Sequence, residues 1–169
     1  MSYGLSKLWA EQAARLLHRR TGVPVGVARL FNVVGPGETN RHLVPEIVAQ
    51  ARRGSELRLG NLDTRRDYVY VDDVARGLHA LAGAVPEEGL ATVNLGSGRA
   101  VDGHQLIEQV GELLGRRLSV TSDPELMRPS DRPVLQSDPS AARELLGWEA
   151  ATGLRDALSA ALERPLAAG

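Results

Sequence analysis

The chain has 169 residues, 43% hydrophobic and 24% charged, enough for one domain with a packed core. Its net charge of -1 and pI near 6.4 leave no electrostatic case for nucleic acid or an anionic membrane as partner. Cysteine is absent, which excludes disulfides and thiolate metal sites, and His18, His42, His79 and His104 show no short ligand spacing, so no metal is expected.

No apolar run approaches ~18 residues and the N-terminus lacks the basic-then-apolar layout of a signal peptide. A cytoplasmic location is the expectation. Helical periodicity starts at once, from about Ser2 to Arg20, with Leu5, Leu8, Trp9, Ala13, Leu16 and Leu17 as its apolar positions. Within it, Tyr3 and Lys7 are four residues apart, so phenol and ammonium lie on one face about one turn from each other. An ammonium beside a phenol favours the phenolate, the form that can exchange a proton with a substrate hydroxyl or carbonyl. The same spacing is found on ordinary exposed helix faces. Lys7, however, is the single lysine among 20 basic residues, kept where arginine would be a different tool.

Thr21-Gly22 and Pro24 end the helix, and the nearly continuous apolar run Val25 to Val34 reads as a strand buried on both faces of a parallel sheet. Arg29 and Asn32 sit toward its carboxyl end, the side where α/β sheets present ligands, although an asparagine there also serves as a turn former. A helix from Pro45 to about Arg53, a short strand at Leu57–Leu59 and a β segment over Asp67–Val71 follow. Arg65-Arg66 precede that segment; an arginine fork there can grip two phosphate oxygens, or simply face solvent.

The spacing predicts a helix over Asp73–Ala84 with Asp72 or Asp73 as cap, and a strand over Ala91–Leu95. Gly96-Ser97-Gly98 reads as a turn, because no glycine or lysine follows at phosphate-loop spacing. Asp102 and Gln105 form a capping box for a helix reaching Leu114. Next come a strand at Leu118–Val120, a single helical turn after Asp123-Pro124 and a proline-pinned loop carrying Arg128, Asp131 and Arg132. Asp138-Pro139 and Thr152 open the last two helices. The alternation of helix and strand is that of an α/β fold.

Taken in order, Y3-G-L-S-K7, R29-L-F-N32-V-V-G35-P36-G, L59-G-N-L-D-T-R-R66-D67-Y, V93-N-L-G-S-G98, R128-P-S-D131-R-P-V-L and L146-G-W148 resemble the carboxyl-terminal half of extended short-chain dehydrogenase/reductases that act on nucleotide sugars. GNLDTRRD and RPSDRPVL look most like the branch of GDP-mannose 4,6-dehydratase and GDP-4-keto-6-deoxymannose reductase. The resemblance implies the last strands and helices of a Rossmann-like fold plus a small α/β substrate-binding subdomain. It divides the chain into 1–35, the end of the Rossmann-like core; 36–71, a substrate-binding segment; 72–117, a returning helix-strand-helix; 118–164, a second substrate-binding part; and 165–169, a tail.

It further implies Tyr3 as catalytic acid/base and Lys7 as its partner on the nicotinamide ribose of NAD or NADP, with Phe31 and Asn32 beside the cofactor. Asn32, Leu43, Val44, Leu59, Asn61, Arg66, Arg128 and Asp131 would surround a nucleotide-diphosphate sugar, GDP-linked by preference. The family's glycine-rich dinucleotide turn does not precede Tyr3, so the cofactor site is expected to be incomplete in this chain. A complementary dinucleotide-binding partner, or a homo-oligomer through the first helix, is the implied context.

Overall fold

The computed structural model describes residues 2–38, 40, 42–127 and 132–163. Six helices and eight short strands alternate: α1 (Ser2–Thr21), β1 (Val25–Leu30), β2 (Asn32–Val34), α2 (Leu43–Arg53), β3 (Glu56–Leu59), β4 (Arg65–Tyr70), α3 (Val71–Glu88), β5 (Leu90–Leu95), β6 (Ala100–Val101), α4 (Gly103–Leu113), β7 (Ser119–Ser122), β8 (Val134–Leu135), α5 (Ser140–Leu146) and α6 (Leu154–Glu163). No helix among the described residues is long and apolar enough to cross a membrane.

β1 and β5 form a parallel pair in register from Val25↔Leu90 to Leu30↔Leu95. Alternation along β1 sends Gly26 onto Leu81 and Val85 of α3, while Arg29 meets Glu11 of α1 on the opposite face. The pair is thus the centre of a helix–sheet–helix sandwich. Among the described residues β1 has a neighbour on one side only.

The apolar run from Val25 to Val34 is two strands, not the one its composition suggests. β5 leaves the sheet at Gly96, and the Phe31 amide makes the last bond of that ladder, to the Leu95 carbonyl at 3.2 Å. Beyond it β2 takes β4 as its parallel partner, Asn32↔Tyr68 to Val34↔Tyr70. These two strands are the wall between two cores. Val34 and Tyr68 face a cluster built by α2, α4, α6 and β3, with Ile47, Leu57, Leu106, Val110 and Leu158 at its centre. Val33 and Val69, one residue away and on the other face, join Leu81, Val93, Leu95 and Trp148 around α3 and α5.

Helix entry follows local chemistry in some places and tertiary demand in others. The Asp102 carboxyl accepts from the Gln105 amide and the Gln105 side chain answers at the Asp102 amide, as the spacing predicts. α3, by contrast, starts at Val71 without a side-chain cap, and Asp73 is drawn inside instead. Fully buried, it accepts from the Thr152 amide at 2.9 Å, from the Thr152 hydroxyl at 3.3 Å and from Arg76. Thr152 therefore serves α3 rather than capping α6.

β6 and β8, two residues each, lie where the sequence predicts only a turn and a proline-pinned loop. They exist because β4 offers them backbone partners: β6 runs antiparallel at Arg66–Asp67 and β8 parallel at Arg65–Arg66. Leu158 lies in the first core with no exposed surface, whereas Leu126 is 55% exposed. We expect Leu158→Ala to lose about 2–5 kcal/mol and Leu126→Ala to stay within about 0.5 kcal/mol, compared by urea unfolding.

Candidate active site

α1 runs back along the sheet that it precedes, and two contacts set its level. The Arg29 guanidinium donates twice to the Glu11 carboxylate, at 2.9 and 2.7 Å, and Arg15 donates to the Thr92 hydroxyl at 3.0 Å. Glu11 is thereby held beside the carboxyl end of β1, and Tyr3, eight residues earlier, stands about 12 Å beyond that level at the helical rise. The start of α1 overhangs the carboxyl edge of the sheet. There Lys7 Nζ lies 5.3 Å from the centroid of the Tyr3 ring, and Tyr3 is 74% exposed. Phenol and ammonium share one open volume.

Arg29 is therefore a tether and not a ligand-facing group. Sequence reasoning missed its partner, although Glu11 continues the four-residue spacing of Tyr3 and Lys7 along one helix face. The hydrogen bond from Arg29 holds the Glu11 carboxyl below the usual carboxylate range, and the same bond raises the guanidinium.

The second group of residues gathers on β2 and β4. Asn32 opens β2 opposite Tyr68, which sets it one strand over and two residues along from Arg66, about 8 Å at the backbone. Arg66 Nη1 donates to the carbonyls of Arg65 at 2.9 Å and Arg132 at 2.8 Å. Burial pushes the Tyr68 phenol up to about 12, with Glu38 adding to the rise and Arg66 opposing it. Burial also raises the Glu38 carboxyl.

The remaining candidates divide by environment. Val44 and Leu59 are core residues, 3% exposed each, so any contact from them with a ligand is through backbone atoms. The Leu59 carbonyl is itself taken by the Asp123 amide at 2.8 Å. Leu43 packs against the same core, while Asn61 is exposed and accepts from the Asp63 amide at 2.9 Å. Phe31 lies at the junction of β1 and β2. Arg128 and Asp131 lie outside the described residues.

Asp67, the neighbour of Arg66, carries no functional signal in its local sequence, yet both its carboxylate oxygens are held by several donors. It has no exposed surface. Its Oδ1 accepts from the Ser97 amide at 2.8 Å and the Ser97 hydroxyl at 2.6 Å; its Oδ2 accepts from the Gly98 amide at 2.9 Å, the Ser137 amide at 3.0 Å and the Ser137 hydroxyl. The Gly96-Ser97-Gly98 turn thus does cradle an acidic group, the chain's own. A Cβ on Gly96 would stand 2.5 Å from Ser137 Oγ, and Gly98 has φ +76°, so both positions require glycine.

The family described as GDP-mannose 4,6 dehydratase matches residues 1–160. GDP-6-deoxy-D-mannose reductase from Pseudomonas aeruginosa is 28% identical over 171 residues, covering 95% of this chain and 54% of that protein. UDP-glucuronic acid decarboxylase 3 from Arabidopsis thaliana is 32% identical over 161 residues, 92% of this chain and 45% of its own length. Among solved structures, MoeE5 in complex with UDP-glucose and NAD superimposes with a TM-score of 0.87 at 31% identity, covering 95% of this chain and 54% of that one. The chain spans about half the length of the relatives it matches.

The Glu11–Arg29 pair yields a signed pH dependence. Arg29 is half exposed, so screening limits the pair to about 0.5–1 kcal/mol. Because the folded-state pKa of Glu11 is depressed, this contribution is present above the ordinary value of 4.5 and is lost as pH falls through the folded value. Thermal melts of the wild type and Glu11→Gln should differ at neutral pH and converge once acid has protonated Glu11 in the folded state.

Proposed function

The chain belongs to the GDP-mannose 4,6-dehydratase family, and from that premise we propose that it is the substrate-binding, proton-transferring half of an NAD(P)-dependent enzyme acting on a nucleotide-diphosphate sugar. The observation that carries this reading is the Tyr3–Lys7 pair, 5.3 Å apart from ammonium to ring centroid at the overhanging end of a tethered helix. Tyr3 exchanges a proton with the sugar hydroxyl or keto oxygen, and Lys7 keeps an ammonium beside it. Asn32 hydrogen-bonds the sugar, and the Arg66 fork, with Arg128, takes the diphosphate.

Tyr3 and Lys7 are a donor set that fits a nicotinamide ribose. The bound dinucleotide supplies or accepts the hydride. Its pyrophosphate has no cradle in the Gly96–Gly98 turn, which Asp67 already fills. We therefore assign that task to a dinucleotide-binding module added along β1, where the sheet has an open edge. An apolar hollow lined by Gly26, Leu78, Leu81 and Val85 flanks that edge, and Leu78 is 44% exposed. On the other face, α1 exposes Leu5, Leu8, Trp9, Leu16 and Leu17, a surface suited to a second copy of the chain.

The GNLDTRRD and RPSDRPVL motifs favour a GDP-linked 6-deoxyhexose, with reduction, dehydration or epimerisation as the net reaction. Calorimetric titration with GDP, UDP and NADPH, with the mass in solution measured on the same preparation, tests the division of labour. We expect GDP to bind more tightly than UDP, no NADPH binding by the isolated chain, and a mass above that of one chain. Tight NADPH binding would overturn the division. In enzyme reconstituted with a dinucleotide-binding module, Tyr3→Phe should lower turnover by about 100-fold or more; unchanged turnover would make the chain a nucleotide-binding or assembly module.

A further inference from the structure

We propose that Asp67 is a positioning residue for the Arg66 fork, acting through the run from Arg132 to Ser137. The inference rests on reading Arg66 as the phosphate anchor and deepens that reading by saying what aims it.

Arg66 Nη1 donates to the Arg132 carbonyl at 2.8 Å and to the Arg65 carbonyl at 2.9 Å, and the former ties the guanidinium to a separate segment. The Arg132 carbonyl belongs to a run attached to β4 at both ends. At its start the Arg65 amide donates to the Pro133 carbonyl at 2.8 Å, and β8 pairs with Arg65 and Arg66. At its end Ser137 is bound through both its amide and its hydroxyl to Asp67 Oδ2. Gln136 adds a bond to the Gly98 carbonyl at 2.8 Å, and Asn94 adds one to the Asp138 carbonyl at 2.9 Å.

Apolar burial does little for this run. Val134 is 50% exposed and Leu135 39%, so neither side chain drives the strand onto the sheet. Ser137, in contrast, is 5% exposed and Asp67 has no exposed surface. A buried carboxyl with several donors is a specific and costly arrangement to break, because each abandoned partner is left without solvent. The polar clamp therefore sets where the run lies, and the run sets where the Arg66 fork is held.

Asp67 draws its donors from two segments, each contributing one serine hydroxyl that can be removed separately. The Ser97 hydroxyl, in the turn after β5, bonds Asp67 Oδ1 and the Arg99 carbonyl, while the same turn meets the 132–137 run through Gly98, whose amide donates to Ser137 Oγ at 3.0 Å. Ser137 belongs to the run itself. A merely structural carboxyl would register the loss of either hydroxyl alike.

The test compares Ser137→Ala with Ser97→Ala in the full chain, both checked for folding by circular dichroism. In ligand-free protein, amide exchange at residues 134–137 should quicken by about tenfold in Ser137→Ala and by less than about twofold in Ser97→Ala. The Arg66 Nε resonance should shift and broaden only in Ser137→Ala. With UDP and GDP as probes, Ser137→Ala should weaken binding by about five- to tenfold while Ser97→Ala stays within about twofold. Equal effects of the two variants, or an undisturbed Arg66 signal in Ser137→Ala, overturn the proposal. If the wild type binds neither nucleotide, the substrate reading fails, while the exchange and Arg66 measurements still decide whether Asp67 positions the fork. Asp67→Asn should reproduce the Ser137→Ala pattern in stronger form; if it does not fold, the serine pair suffices.

Discussion

One buried carboxyl group, that of Asp67, makes three distant parts of the chain converge. Placing such a group away from water without partners is strongly unfavourable, so its position on β4 requires donors to be brought to it. They come from residues 30 and 70 positions further on, the Gly96–Gly98 turn and Ser137. Once these segments are in place, β4 pairs with β2 in parallel over Tyr68–Tyr70, with β6 antiparallel at Arg66–Asp67 and with β8 in parallel at Arg65–Arg66. The strand that carries Arg66 is consequently the most constrained element near the site.

The two cores depend on that strand in a different way. Successive residues of β2 and β4 face opposite sides, so Val34 and Tyr68 complete one core while Val33 and Val69 complete the other. A displacement of β4 by one residue would exchange the two sets and fail in both cores. Arg66 thus stands on a strand whose register both cores fix. The Tyr3–Lys7 pair has the opposite character: it sits at the exposed start of α1, held level by Glu11–Arg29 and Arg15–Thr92. Its surroundings are open, with Tyr3 74% exposed.

The first helix and the sheet beneath it leave apolar surface open among the described residues. A parallel sheet of two strands with an open edge is rare on its own, because parallel strands normally lie covered on both faces and flanked on both sides. Here β1 has a neighbour on one side only among the described residues, the apolar hollow lies on its α3 face, and the exposed leucines belong to α1 on the opposite face. The match to about half the length of full-sized relatives agrees with this geometry.

The elements governed by local chemistry were legible in the sequence: the Asp102–Gln105 capping box, the glycine and proline stops, the amphipathic α2, and the four-residue spacing that puts Tyr3 and Lys7 on one face. The ordered motifs also identified the family, because each motif holds its residues at fixed local separations. Contacts whose cause lies at long range were not legible. The split of Val25–Val34 depends on where β5 leaves the sheet, and the two-residue strands β6 and β8 exist because β4 has open backbone groups. Asp67 and Asp73 look like surface or capping carboxylates until the fold encloses them. A single sequence records hydrophobic period and turn chemistry residue by residue, but a buried carboxyl's donors are specified only by the packing that brings them near, and that was decided by the tertiary structure alone.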